Sequence, residues 1–219
     1  MKYTLIILGI ILSTNVIAGN NKAFKKAMTT NITALNTAKE LAEFDPIANK
    51  FIRIGEAEKD QWLPFYYASL AYVWKGFRMK DASEKDGNLT VALKYIEKAK
   101  VLEENNAEVI ALEGFIYMMQ ISIDPGSRGQ SITPKAFGNF NRALAIQPAN
   151  PRALLFKGQM QYGMSQFFGS GTEEACAMII KSVELFENDG NKDSIMPSWG
   201  RYSADDYIEI CKPKTNTEE

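Results

Sequence analysis

Few residues of this chain belong to the types that carry out acid, base or nucleophilic chemistry. The sequence of 219 residues contains no histidine and two cysteines. Without histidine there is no Ser/His/Asp triad, no Cys/His pair and no HExxH zinc site. Carboxylates such as Asp124, Glu173 and Asp205 remain, but carboxylate catalysis requires two acids that face one cleft. No such pair stands at helical spacing in the predicted groove described below, so we expect no enzymatic activity, with a carboxylate-based hydrolase as the less favoured alternative.

One short run has the alternation of a calcium-binding loop. Asp189, Asn191 and Asp193 stand at every second position, as the first ligands of such a loop do. The glycine that the sixth position requires is replaced by Ser194, and the bidentate glutamate of the twelfth position is replaced by Gly200. The sequence therefore predicts no metal site and no other cofactor.

The first residues have the pattern of an export signal. Lys2 precedes an apolar run from Tyr3 to Leu12, and Val16 and Ala18 supply the small residues of a cleavage site. We expect cleavage after Ala18 and a periplasmic or secreted protein, with an uncleaved anchor as the alternative. No later stretch approaches the length of a transmembrane helix, so no membrane insertion is expected after cleavage.

The two cysteines, Cys176 and Cys211, have a different meaning in an exported chain. An even number of cysteines permits a disulfide in an oxidising compartment, and two separate buried thiols are the alternative.

The charges are nearly balanced, with 25 Lys and Arg against 26 Asp and Glu. Nucleic-acid-binding proteins normally carry a strong basic excess, so no nucleic acid is expected as a partner.

The elements that must position any site are helices, because no segment shows sustained period-2 alternation. Three segments share one spacing: a small residue, an apolar residue four later, a small residue three after that, and a helix stop five further on. They are Ala92, Ile96, Ala99 and Glu104; Ala136, Phe140, Ala143 and Pro148; and Ala175, Ile179, Ser182 and Glu187. Gly114 and Gly158 also lie 44 residues apart. This self-similarity predicts a helical repeat.

These residues resemble the tetratricopeptide repeat (TPR) family, in which two antiparallel helices pack through small residues at fixed positions. The match covers roughly residues 60 to 190. Six positions of one repeat fit the family motif: Gly114, Tyr117, Ala136, Phe140, Ala143 and Pro148. The resemblance implies an all-α, TPR-like α-solenoid of antiparallel helix hairpins with capping helices at both ends.

The repeats depart from the family because each carries extra residues between its two helices. We interpret residues 76–87, 122–131 and 167–172 as loops that project from one edge of the solenoid. The predicted organisation has four parts. They are a signal peptide (1–18), an N-terminal capping hairpin (19–61), three TPR-like repeats (62–190), and a C-terminal cap with a polar tail (191–219).

In TPR proteins the first helix of each hairpin lines a concave groove, which implies a set of ligand-facing residues here. The frame is set by Gly114, by Gly158 and, in the first repeat, by Ala68. The groove residues that it gives are Trp62, Phe65, Tyr72, Phe115, Met118, Met119, Arg152, Gln159 and Tyr162. Such a groove suits a protein or peptide segment, because methionine and aromatic side chains adapt to varied apolar shapes. The alternative is that the chain's own termini fill the groove.

Two further features bear on the ligand. The Lys and Asn residues with which one TPR subclass grips a C-terminal carboxylate are absent, because Glu108, Leu112, Arg152 and Phe156 occupy those positions. Trp199 lies in a rigid turn beside Pro197, which indicates an aromatic plug over the last hairpin.

A glycan or small-molecule binding protein is the other possibility. Its stacking surfaces would be Trp62, Tyr66, Tyr67 and Trp74.

Overall fold

The protein is a layered array of helix hairpins in the computed structural model, which describes residues 13–188 and 195–211. The α-helices are α1 (Ser13–Thr37), α2 (Phe44–Ala57), α3 (Leu63–Arg78), α4 (Ala82–Leu102), α5 (Ala107–Ile123), α6 (Pro125–Ile146), α7 (Pro151–Phe168), α8 (Glu173–Glu187) and α9 (Asp205–Ile210). Short 3-10 helices at Leu41–Glu43 and Arg201–Ala204 precede α2 and α9. No strand occurs within the described ranges.

The helices begin where the sequence supplies caps and prolines. The side chains of Asn106 and Asn150 accept hydrogen bonds from backbone N–H groups at the starts of α5 and α7. Such bonds satisfy donors that a helix start leaves unpaired. Gly169 ends α7 with a φ of 67°, a conformation that glycine adopts without steric cost.

Pairing within the hairpins follows the repeat spacing. A Cβ on Gly114 would lie 2.8 Å from Cε1 of Phe140, and a Cβ on Gly158 would lie 2.9 Å from Cγ1 of Ile179. Glycine thus lets α5 approach α6 and α7 approach α8 more closely than a side chain would allow. Phe140 is fully buried at this contact. The all-α, TPR-like architecture is confirmed, and in its inner layer α5 packs against both α3 and α7.

The inserted residues form helix rather than the loops expected from the sequence. Residues 82–87 are the first turns of α4, and residues 125–133 are the first turns of α6, with Pro134 inside that helix. The reason is local capping, because Asp81 accepts a hydrogen bond from the N–H of Glu84 and Asp124 accepts one from Ser127. Of the third insertion, residues 167 and 168 finish α7 and only the following residues connect it to α8.

The two lengthened helices are joined by an ion pair. The guanidinium of Arg128 in α6 donates to both carboxylate oxygens of Asp86 in α4, each at 2.6 Å. A bidentate pair fixes orientation as well as distance. The insertions therefore extend a packed edge of the helix array.

The apolar run of the expected export signal is outside the part of the chain that the structure describes. Residues 1–12 lie outside the described residues, and α1 begins at Ser13, so that it includes the expected cleavage point after Ala18. In the described part of the chain, no helix is both long and apolar enough to cross a bilayer.

Candidate ligand cavity

The concave face of α3, α5 and α7 is occupied by the chain's own C-terminal segment, residues 195–204. The hydroxyl of Tyr67 donates to the carbonyl of Ile195 at 3.1 Å, and Nε2 of Gln159 donates to the carbonyl of Ser203 at 2.6 Å. Between these two contacts, Nε1 of Trp199 donates to the hydroxyl of Tyr66 at 2.8 Å. The C-terminal segment is thus held at three points along the groove. This part of the groove is filled by the chain itself.

Trp199 is the centre of that contact. Its ring centroid lies 5.2 Å from that of Trp74, 5.6 Å from Phe115 and 5.7 Å from Phe156, one ring from each of the three inner helices. The residue is 9 % exposed. Aromatic rings at such separations contribute packing energy beyond their burial alone. Gly200 follows with a φ of 106°, so the chain turns at a conformation that glycine tolerates.

A buried ion pair between α5 and α7 also holds the C-terminal segment. Nε and Nη2 of Arg152 donate to the two carboxylate oxygens of Glu108 at 2.6 and 2.8 Å, and Nη1 donates to the carbonyl of Trp199 at 3.0 Å. Nδ2 of Asn150 also donates to Glu108, at 2.6 Å. Burial raises the pKa of the nearby Tyr66 hydroxyl well above its usual value, and the Glu108 charge adds to this effect. Tyr66 therefore stays protonated.

The groove residues expected from the sequence divide into two groups. Phe115, Arg152 and Gln159 lie beneath the C-terminal segment, and Tyr162 makes an edge-to-face contact of 5.5 Å with Tyr207 of α9. Met118 and Met119 are half-buried in α5. The second group belongs to α3, with Trp62 as the N-cap of that helix. Its members are Trp62, Phe65 and Tyr72.

In α3 the register differs from the expected one by one residue. Tyr72 stacks on Tyr95 of α4 at 5.7 Å, and the Phe65 ring packs against Gly55 of α2. Ser69, rather than Ala68, packs against α4, where its hydroxyl donates to the carbonyl of Ala92. Counting from Ser69 directs Tyr66 and Trp74 toward Trp199, as the structure shows.

A cavity of about 600 Å³ remains between α1, α3 and the C-terminal segment. Its lining residues come from three stretches of the chain: the end of α1 with Ala38, the helix α3, and the C-terminal segment. They are Ile32, Leu35, Asn36 and Ala38; Tyr67, Trp74, Phe77 and Arg78; and Ser198, Trp199, Gly200, Arg201, Tyr202 and Ser203. We call this space the aromatic cavity.

Three rings of the aromatic cavity stand close enough to form continuous walls. The centroid of Trp74 lies 5.5 Å from that of Phe77 and 6.4 Å from that of Tyr202. Phe77 is 47 % exposed and Tyr202 is 62 % exposed, in contrast to the buried Trp199. Exposed aromatic rings around a concave space are a common feature of ligand sites.

The cationic groups of the aromatic cavity differ in their partners. Arg201 pairs with Asp205 and with Glu187. Arg78 donates to the carbonyls of Ala38, Lys39 and Trp74 and lies over the Phe44 ring at 4.6 Å. Within the described residues, no carboxylate lies at ion-pair distance from Arg78. Of the two arginines that line the cavity, Arg78 is therefore the one without an ion pair in the described part of the chain, although the charge of Glu43 lies within electrostatic range of it.

Two tyrosines line the same space. Burial raises the pKa of Tyr67 and of Tyr202 above the usual value, and the charge of Arg78 opposes that rise at Tyr202. Both hydroxyls therefore stay protonated at neutral pH. Of the other stacking candidates from the sequence, Tyr66 is buried and Trp62 packs edge-to-face on it.

Candidate catalytic acids are not brought together. Asp124 caps α6, and hydrogen bonds from Ser127 lower its pKa. Asp205 pairs with Arg201, and Glu173 begins α8. No metal-binding group of three or more His, Cys, Asp or Glu occurs among the residues that the structure describes, and residues 189–194, which include the calcium-like run, lie outside them.

A disulfide links Cys176 of α8 to Cys211, with the two Cα atoms 5.2 Å apart. It attaches the end of α9 to the last hairpin. The C-terminal segment is therefore held by its contacts with α3, α5 and α7, and the disulfide ties the residues that follow it to α8.

Sequence reasoning missed Phe77, Arg78 and Tyr202. Phe77 and Arg78 lay in a predicted loop, and no spacing signal points to Tyr202. The proline and glycine around Trp199 did indicate a plug, which covers α3, α5 and α7 and not only the last hairpin.

No protein-family model matches this chain, and no curated protein matches it. Solved structures do match. The HusA haemophore from Porphyromonas gingivalis is 26 % identical with a TM-score of 0.76, over 92 % of this chain and 98 % of that one. TTC0263, a thermophilic TPR protein from Thermus thermophilus, is 17 % identical with a TM-score of 0.53, over 81 % of this chain and 91 % of that one. The chain therefore has the TPR-like fold that its repeat spacing predicts.

Proposed function

We propose that the protein is a binding protein whose aromatic cavity takes a planar, largely apolar ligand with carboxylate groups, of the haem and porphyrin class. The observation that carries this proposal is the set of Trp74, Phe77 and Tyr202 rings beside Arg78, in a cavity of about 600 Å³. That volume lies within the range of small-molecule sites. The similarity to the HusA haemophore along nearly the whole chain supports the same ligand class.

Each part of such a ligand has a matching group. A macrocycle presents an apolar face that aromatic rings stack against, and each such contact contributes beyond the area that it buries. A carboxylate on the edge of the ring would pair with the guanidinium of Arg78, which has N–H groups beyond the three that bind carbonyls. Recognition then depends on the shape and edge charge of the ligand.

The lining of the aromatic cavity supplies few groups for an iron atom. It has no histidine, the commonest metal ligand, and Tyr67 and Tyr202 hold their protons because burial raises their pKa values. We therefore expect metal-free porphyrin to bind with an affinity close to that of haem.

The test is a titration of the purified chain with haem and with metal-free protoporphyrin, followed by absorbance of the ligand and quenching of tryptophan fluorescence. Phe77→Ala and Arg78→Gln should each weaken binding by about tenfold, because each removes one stacking or ionic contact. Tyr95→Ala is the matched control, since Tyr95 stacks on Tyr72 outside the cavity. Equal affinities for all three variants and the parent chain would contradict the proposal.

A protein or peptide ligand is the second candidate, and the C-terminal segment favours it. Side chains of the inner helices bind three carbonyls of that segment, at Ile195, Trp199 and Ser203, as they would bind a peptide backbone. A foreign peptide would have to displace the segment. A synthetic peptide of residues 195–204 should then bind a Cys176→Ser, Cys211→Ser variant more tightly than the disulfide-bonded chain, and equal weak binding would contradict this route.

We also propose that the protein is exported and is not an enzyme. The apolar run before Ala18 supports export, and a disulfide is typical of oxidising compartments. The separated positions of Asp124, Glu173 and Asp205 support a binding function without catalysis. N-terminal sequencing of the protein from envelope and culture fractions would test the expected start at Gly19.

A further inference from the structure

A second concave surface lies between α1 and α2, away from the aromatic cavity. It encloses about 480 Å³ and is lined by Ala23, Lys26, Ala27, Thr30, Asn31, Ala34, Lys50, Arg53 and Ile54. We call it the basic groove. The aromatic cavity uses other α1 residues, Ile32, Leu35 and Asn36, so the two sites share this helix but no lining residue.

The basic groove has an apolar floor and a cationic rim. The alanines and Ile54 form the floor, and the exposed side chains of Lys26, Lys50 and Arg53 form the rim. From residue 22 to residue 37, α1 contains three lysines and no acid. Of the two acids in α2, Asp45 pairs with Lys75, and Glu56 lines a different surface beside Phe65 and Lys98. The lining of the basic groove therefore carries three cations and no acid, in a chain whose net charge is −1.

Asn31 lines the basic groove and carries a buried acceptor without a partner. The residue is 3 % exposed, and its Nδ2 donates to the carbonyl of Ile47 at 3.0 Å. Its Oδ1 is buried and has no hydrogen-bond partner in the protein. A buried acceptor without a partner costs free energy that a donor from a ligand would recover. A ligand with an O–H or N–H group next to an anionic group would therefore match both the acceptor and the cations of the basic groove.

We propose that the basic groove binds a single-chain anionic lipid that carries a hydroxyl next to its headgroup, as a lysophospholipid does. The acyl chain lies on the alanines and Ile54, the phosphate meets the cations of the rim, and the hydroxyl donates to Oδ1 of Asn31. This inference is independent of the ligand proposed for the aromatic cavity.

The experiment measures binding of three probes below their micelle concentrations by isothermal titration. Dodecanoyl lysophosphatidic acid has the hydroxyl and the anionic charge, dodecyl phosphate lacks the hydroxyl, and dodecanoyl lysophosphatidylcholine lacks the net charge. Lysophosphatidic acid should bind about fivefold more tightly than dodecyl phosphate, because one hydrogen bond to a buried acceptor differs between them. Lysophosphatidylcholine should bind at least about tenfold more weakly than lysophosphatidic acid.

Variants assign each contribution to its residue. Asn31→Leu keeps the volume of the side chain and should abolish the preference for lysophosphatidic acid over dodecyl phosphate. Ala27→Trp, at an exposed position of the groove, should block both anionic probes without changing a charge. Replacing Lys26, Lys50 and Arg53 by Gln should also abolish binding. The matched control replaces Lys94, Lys135 and Lys181 by Gln on α4, α6 and α8, which should leave binding unchanged.

Two results would overturn the proposal. In the first, Asn31→Leu and Ala27→Trp bind both anionic probes as the parent chain does. In the second, the monomeric lipids do not bind, while the protein floats with phosphatidylglycerol vesicles whether or not Asn31 and Ala27 are replaced. The second outcome would show attraction of the cations to a membrane surface. Phe77→Ala should bind lysophosphatidic acid like the parent chain, which separates this test from that of the aromatic cavity.

Discussion

The two ends of the concave face contrast with each other, although the same layer of helices forms both. At α5 and α7, Phe115 and Arg152 are buried beneath the C-terminal segment and belong to the protein core. At the end of α3, Phe77 and Arg78 remain exposed around the aromatic cavity. The difference is set by where the returning chain lies. Residues far away in the sequence therefore decide whether a side chain of the inner helices is buried or exposed.

The two arginines provide the largest test of this contrast. Arg152→Ala should lower the free energy of unfolding by about 3 to 5 kcal/mol, because it leaves the carboxylate of Glu108 buried without its ionic partner. Arg78→Ala removes bonds to three carbonyls near the surface and should cost about 1 kcal/mol. Urea denaturation measures both. Similar losses in the two variants would contradict a division into core and site.

The two phenylalanines should show the same order with smaller values. Phe115 is 3 % exposed and contacts Phe156 at a centroid distance of 4.1 Å, so Phe115→Ala should cost about 3 to 4 kcal/mol. Phe77→Ala should cost about 1 kcal/mol, since nearly half of the residue is already in water. Thermal unfolding followed by circular dichroism distinguishes them. A Phe115→Ala protein as stable as the Phe77→Ala protein would show that the segment over Phe115 contributes little.

Reduction of the disulfide tests whether this bond keeps the C-terminal segment on α5 and α7. The bond closes a loop between residues 35 positions apart, and its loss should cost about 3 to 4 kcal/mol through the unfolded state. Reduction should also increase the rate at which the C-terminal segment is cut by protease, while porphyrin affinity falls because that segment forms one wall of the aromatic cavity. The measurement is a melting curve with and without reductant. Cys176→Ser, Cys211→Ser is the control, and it should not respond to reductant.

Two glycines of α7 give the smallest expected effect and sharpen the comparison within one helix. Gly158→Ala should cost about 1 to 3 kcal/mol, because the new Cβ would lie 3.1 Å from the carbonyl oxygen of Ala175. Gly163→Ala meets nothing within 4 Å and should gain about 0.5 to 1 kcal/mol from helix propensity. Chemical denaturation of the pair checks both signs. Destabilisation by both substitutions would contradict the close contact assigned to Gly158 alone.

The helix pairing could be predicted from the sequence because its determinants are local and periodic. Ala136, Phe140 and Ala143 stand at the spacing that one helix face requires, and Gly114 meets Phe140 within the same hairpin. The prediction of loops for the inserted residues rests on their excess over the length of the family repeat, and such an excess does not indicate whether the extra residues form helix or loop. Asp124 and Pro125 provide the actual start of α6, and the helix accommodates Pro134 within its length.

The aromatic cavity could not be predicted in the same way. The bond between Trp199 and Tyr66 joins residues 133 positions apart, and no repeat spacing encodes such a contact. The register of α3 was ambiguous for a related reason. Ala68 and Ser69 are both small, and only the packed structure shows that Ser69 faces α4. That single step decides whether Tyr72 or Trp74 faces the concave side.

The return of the C-terminal segment has a consequence for how this protein can vary over time. Solenoids commonly gain or lose whole repeats by duplication or deletion, because each unit contacts only its neighbours. Here the carbonyl of Ile195 accepts a hydrogen bond from Tyr67 in α3 after the chain has passed through α8, so the C-terminal segment contacts a helix near the other end of the array. An additional unit would move the C-terminal segment away from its partners in α3, and a lost unit would remove part of the surface that Trp199 covers. The number of repeats in this architecture is therefore fixed by the length of chain that returns across them.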